Sequence, residues 1–267
     1  MDELLSNPAV QAGAAPFLAG LIVAVALRPL KLGGLAVTAA FAATVYLVAG
    51  FQFSPLTATR KMILIAAAAP LIGLLVDFAF RPTRLGATLL ALLAGGAALW
   101  AFGPVLAQRP GSEAWLAGAS AAIVAAFVVG FGQAALAADG VRAGAAALAL
   151  GIGAGVASIF SASIAYGSYG LALGAGAGAF LLPQMVMGSK SHAGATFVLP
   201  ALLATALVAA GAMTLAKMPW YVVLVLGLVP LAVRLPGPER APVWLQAVIF
   251  SLYGFAVAGL ACWLAWP

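Results

Sequence analysis

Charge is what this sequence has least of. Only 7% of its 267 residues are Asp, Glu, Lys or Arg, whereas 65% are hydrophobic. An average soluble domain carries roughly 25% charged residues and needs them to cover its surface, so a soluble globule is excluded. Cysteine is almost missing as well: Cys262 stands alone, inside the last apolar stretch. Neither an intrachain disulfide nor a cysteine-based metal centre can form, and the residue reads as a small apolar filler. The single histidine, His192, lies near no Cys or carboxylate in the sequence that would help it hold haem or a metal. No cofactor is expected.

Other absences narrow the function further. The opening MDELLSNPAVQAG has no Lys or Arg, the reverse of a secretory signal's positive n-region, so no cleaved signal is expected. There is no P-loop and no GxGxxG after a strand; the AGAGAGA run is helix-packing composition. Asp77 and His192 belong to distant segments with no nucleophile motif between them, so Ser-His-Asp chemistry is not indicated. The chain does not read as an enzyme. Its net charge of +6 comes from cations set singly or in pairs between apolar runs. They form no patch for nucleic acid and read as topology signals at lipid head groups.

What is present is apolar sequence in lengths of about twenty residues, enough to cross a hydrocarbon core of roughly 30 Å. The runs are continuous rather than alternating, which excludes a transmembrane β-barrel. Helices satisfy their own backbone in lipid, so the expected fold is all-α, a polytopic bundle. Ten spans are predicted, near 14–29, 33–51, 62–80, 85–106, 115–136, 143–160, 165–187, 194–215, 219–235 and 243–266. With the N-terminus outside, the inner loops hold Arg28, Lys31, Arg81, Arg84, Arg142, Lys190, Arg234 and Arg240, and the outer loops hold Arg60, Lys61, Arg109 and Lys217. Eight against four favours this orientation, with both termini periplasmic in a bacterial inner membrane. The excess of Arg over Lys, with abundant Ala and Gly, suits a GC-rich bacterial genome.

One segment is written twice. GLIVAVALRPLKLG (20–33) and GLLVDFAFRPTRLG (73–86) agree at eight of fourteen places. Each reads as an entering helix ended by Arg-Pro, then a glycine where the next helix begins. Fainter echoes at 130–144, 178–194 and 227–242 extend the idea to five hairpins, near 14–51, 62–106, 115–160, 165–215 and 219–266, within a single membrane domain. Hairpins of this kind would be parallel repeats; a division into two inverted halves of five helices is the weaker reading. Gly151, Gly155, Gly170 and Gly174, at small-xxx-small spacing, should let the sixth and seventh helices pack most closely.

Polar side chains inside the spans are few. Asp77 replaces Ala24 of the first copy and is the acid placed within a predicted helix core, a functional candidate by default. It also stands four residues before Arg81, the spacing of a same-face ion pair. Gln133 and Gln184 occupy similar places before their inner turns. The three would form an inner polar ring if the hairpins gather around one centre, able to bind a small polar solute. Interhelical hydrogen bonding is the plainer use, at about 1 kcal/mol per contact. Tyr166 and Tyr169, with Ser161, Ser163 and Ser168, form a second polar group at the outer ends, readable as a gate or as an ordinary interface. Asp139, Glu113 and Glu239 read as solvated loop residues.

Two functions remain. The first is a small inner-membrane permease or carrier for an unidentified small solute. The second is a noncatalytic membrane subunit or scaffold of a larger complex. The partners implied are the lipid bilayer, a small polar solute, and other membrane proteins or a second copy docked on Gly-lined helices.

Overall fold

The computed structural model describes residues 7–79 and 83–267. These residues form ten helices and no strand: α1 Val10–Ala26, α2 Gly33–Val48, α3 Ala58–Ala79, α4 Arg84–Leu106, α5 Gly111–Ala135, α6 Gly140–Phe160, α7 Ile164–Met187, α8 Gly194–Leu215, α9 Trp220–Ala232 and α10 Val243–Leu264. Seven are long and apolar enough to cross a membrane; α1, α2 and α9 are shorter. The protein is an all-α, multi-pass helical bundle of membrane composition.

The predicted spans and the helices correspond one to one, but several helices begin about four residues earlier. α1 starts at Val10 because Asn7 accepts from the Ala9 and Val10 amides. α3 includes Arg60 and Lys61, α5 includes Glu113, and α6 includes Arg142 behind an Asp139 cap. Apolarity marks where a helix crosses hydrocarbon, whereas the hydrogen-bonded helix continues into the polar boundary. The breaks have local causes. α1 ends before Pro29, which has no amide to donate to the carbonyl one turn back, and the chain closes there in a tighter turn over Arg28–Leu30. α9 is interrupted at Leu228 by Pro230, which cannot donate to the carbonyl one turn back.

Contacts between helix ends show that the chain alternates direction throughout. The ends of α1, α3, α5, α7 and α9 share one face, joined by Arg28 to the α7 terminus, Asp77 to the α8 start, Lys190 to Asp139 and Arg142 to the α9 terminus. The opposite face joins Thr59 to Tyr166, Lys61 to Trp100, Arg109 to Thr214 and Phe160 to Trp266. All six tryptophans are exposed at the bundle surface, as an aromatic belt requires.

The glycine pairing expected between α6 and α7 is present. A Cβ added to Gly151 would lie 2.4 Å from the Gly174 nitrogen, and one on Gly170 would lie 2.5 Å from the Gly155 nitrogen. No side chain fits there, so the backbones touch. The centre of the bundle, however, is α8. Of its 22 residues 21 are buried, enclosed chiefly by α3, α5, α6 and α7. The two copies of the repeated segment are packed differently: α1 and α2 lie against each other, whereas α3 packs mainly on α8 and α4 on α5.

Candidate functional site

A helix wholly enclosed by protein cannot satisfy its terminal amides with water, and α8 brings no capping side chain of its own. Its first amides need outside acceptors. Asp77, at the end of α3, supplies them. Oδ1 accepts from the Ala195 amide at 2.7 Å, and Oδ2 accepts from the Thr196 amide at 2.8 Å and from the Thr196 hydroxyl at 2.7 Å. The Gly194 amide donates to the Ala137 carbonyl at 2.9 Å. Gly194 has φ +64°, and a Cβ there would meet Asp77 Oδ2 at 2.3 Å. Glycine is needed both for the backbone conformation and for room.

Gly73, one turn before Asp77, brings α3 close enough. Its added Cβ would lie 2.6 Å from the Ala195 carbonyl oxygen. The equivalent Gly20 in the first copy seats α1 on the middle of α7, against Ala179 and Gly176. A mid-helix surface offers no free amides, so the next turn there carries buried Ala24. A helix N-terminus offers several, and the next turn carries a carboxylate. This accounts for the Ala24 to Asp77 difference. Arg81, the expected ion-pair partner, lies outside the described residues.

Gln184 is buried and holds the α7–α8 connection. Its Nε2 donates to the Phe180 carbonyl at 3.2 Å and its Oε1 accepts from the Ser191 amide at 2.9 Å. Gly140 donates to the Ser191 carbonyl at 3.0 Å. Arg28 reaches the same connection from α1, donating to Pro183 O at 3.1 Å and Ser189 O at 3.2 Å. The cation expected to complement its own helix thus serves the end of α7 instead. Asp139 is not merely a solvated loop residue: it accepts from the Val141 and Arg142 amides and pairs with Arg142 and Lys190 at 3.7 and 3.6 Å. Gln133 stands apart from this network. Its side-chain nitrogen is buried without a hydrogen-bond partner, next to the close α5–α8 contact at Gly132.

At the opposite face Tyr166 and Tyr169 are buried rather than interfacial, at 5% and 2% exposure. The Tyr166 hydroxyl is 2.9 Å from the Thr59 hydroxyl, and its ring fills the notch at Gly211. Tyr169 packs on Phe41 and on Tyr166. The structure therefore pairs the two tyrosines with each other, and links Asp77 and Gln184 through the α7–α8 connection. His192 is exposed in that connection.

Arg142, in sequence no more than a topology signal, is buried at 4% exposure. It donates to Val233 O at 2.8 Å and Leu235 O at 3.0 Å, lies 4.0 Å over the Phe250 ring, and faces Glu239 at 3.6 Å. A positive residue three places after a helix-capping Asp was the available signal. No group of His, Cys, Asp and Glu that could hold a metal occurs among the described residues.

Two cavities among the described residues are open apolar grooves. One, of 460 Å³, runs beside α1, α6 and α7 past Ala12, Gly13, Ile159 and Leu171. The other, of 400 Å³, lies between α4 and α5 at Leu99, Leu106, Arg109 and Trp115. Neither is lined by Asp77, Gln133, Gln184, Tyr166 or Tyr169. No protein-family model matches this chain, and no curated protein sequence is significantly similar to it.

Proposed function

We propose that the chain is a noncatalytic membrane subunit or scaffold of a bacterial inner membrane, acting through its apolar outer surface. One observation carries this reading: two of the polar groups expected to form an inner solute site are engaged by helix ends and connections, and neither groove is lined by any of the five candidates. Asp77 and Gln184 close α8 and its approach, and the grooves are apolar and face outward. The eight-to-four distribution of cations supports N- and C-termini in the periplasm.

The test is reconstitution beside native extraction. Purified protein in liposomes should pass no solute from a metabolite panel above empty vesicles, and gentle extraction from native membranes should recover a defined assembly containing it. Saturable uptake by the purified protein would overturn the reading. A C-terminal reporter active in the cytoplasm would overturn the orientation.

A permease or carrier is the second reading. Prolines inside three packed helices, Pro70, Pro183 and Pro200, favour it, because each removes the donor to a carbonyl one turn back and provides a place to bend. The same liposome assay decides between the two.

A further inference from the structure

We propose that the α4–α5 groove is a binding site for an anionic phospholipid, with one acyl chain in the groove and the phosphate on Arg109. It requires only that the protein be embedded in a bilayer and stands apart from the choice between scaffold and carrier. The groove combines the two chemistries of such a lipid. Its walls are Leu99, Leu106, Gly118 and Ala119, and its mouth carries Arg109 beside Trp115. On α5 it extends from Gly111 to Ala122, about 17 Å at 1.5 Å per residue. That is close to half of a ~30 Å hydrocarbon core, the depth of one leaflet.

Arg109 is fixed at this mouth. One guanidinium nitrogen, Nη2, donates to Thr214 O at 2.8 Å and Met213 O at 3.4 Å at the end of α8. Among the described residues no carboxylate pairs with it, so Nη1 and Nε are left to meet an anion. The nearest acid in sequence, Glu113, does not line the groove. At 100° per residue it falls on the side of α5 opposite Gly111, Trp115, Gly118 and Ala122. Trp115 is 80% exposed, an amphipathic ring at head-group level. The site thus has a planar cation suited to phosphate, an interfacial ring and an apolar channel of leaflet depth.

Native mass spectrometry of the detergent-purified protein tests this with phosphatidylglycerol and phosphatidylcholine of identical chains. Phosphatidylglycerol should be retained about fivefold better, the effect expected of one basic residue. Arg109→Met should reduce it to the phosphatidylcholine level. Because that variant also uncaps α8, Ala119→Phe provides a second test: Ala119 is exposed, so the larger ring fills the groove without disturbing the core and should lower retention of both lipids. Equal retention of the two lipids by the unaltered protein would overturn the proposal. So would phosphatidylglycerol retention unchanged in Ala119→Phe.

Discussion

Asp77 and Arg109 hold opposite ends of the same helix. The carboxylate meets the first amides of α8 through Ala195 and Thr196, and the guanidinium meets its last carbonyls through Met213 and Thr214. Each charge complements the partial charge of its helix end. α8 has neither an acid in its first turn nor a base in its last, and its first turns are buried against its neighbours. The neighbours α3 and the α4–α5 connection provide what α8 lacks. Arg28 at the end of α7 and Arg142 at the end of α9 repeat the arrangement. A chain with very few charges thus spends several of them closing helices.

Removing the carboxylate should loosen the centre of the bundle. Asp77→Ala leaves three donors without their acceptor and should cost about 2 kcal/mol, while Asp77→Asn, which keeps an acceptor but no charge, should cost about 1 kcal/mol. Thermal unfolding of the detergent-solubilised protein should rank them native, Asn, Ala. A stability of Asp77→Ala equal to the native protein would show that the cap is immaterial.

Gly194 should tolerate substitution worst of the residues around that cap. Alanine there combines a positive φ, at about 1 kcal/mol or more, with a Cβ overlapping Asp77 Oδ2. Gly194→Ala in an Asp77→Ala background should cost less than in the native protein, because the overlap disappears and only the backbone term remains. Additive losses in unfolding measurements would contradict a direct conflict between the two residues.

These relationships explain which parts of the architecture could be read in advance. Runs of apolar residues report how far a helix lies in hydrocarbon, and they place all ten helices to within several residues. The close α6–α7 contact was legible because Gly151 and Gly155 are four apart on one helix and Gly170 and Gly174 on the next. Asp77 was legible as unusual but not as a cap. Local spacing points to Arg81, whereas its observed partners Ala195 and Thr196 lie 118 and 119 residues away. One hint existed at the other end. The approach to α8, His192-Ala193-Gly194, contains no Ser, Thr, Asp or Asn at the cap position, so an enclosed helix beginning there must find its acceptor elsewhere. The burial of Tyr166 and Tyr169 is not legible for a similar reason: an aromatic ring with a hydroxyl suits an interface and a core equally in sequence. Only the notch at Gly211 distinguishes them.

Arg142 should resist conservative replacement. Lysine keeps the charge but cannot span the Val233 and Leu235 carbonyls while lying flat on Phe250. Arg142→Lys should cost about 1–2 kcal/mol and Arg142→Met about 3 kcal/mol, because methionine strands buried carbonyls and removes one of the two cations that pair with Asp139. Limited proteolysis of the α9–α10 connection should accelerate in the same order. Equal protection of the lysine variant and the native protein would assign the residue a charge-only role.

Lys61 and Pro104 should be coupled. A proline inside α4 cannot donate to the carbonyl four residues earlier, which is that of Trp100. Lys61 Nζ takes that carbonyl at 3.3 Å and lies 4.8 Å from the centre of the Trp100 ring. Lys61→Met should therefore destabilise the protein by about 1 kcal/mol through the lost bond and cation–π contact. Pro104→Ala restores an amide that can bond to Trp100 O, and in that background Lys61→Met should cost less, since the carbonyl keeps a donor. A double-mutant cycle in detergent should give a coupling of about 0.5–1 kcal/mol. A coupling indistinguishable from zero would mean that Lys61 sits there for its charge at the membrane surface and does not repair the helix that Pro104 interrupts.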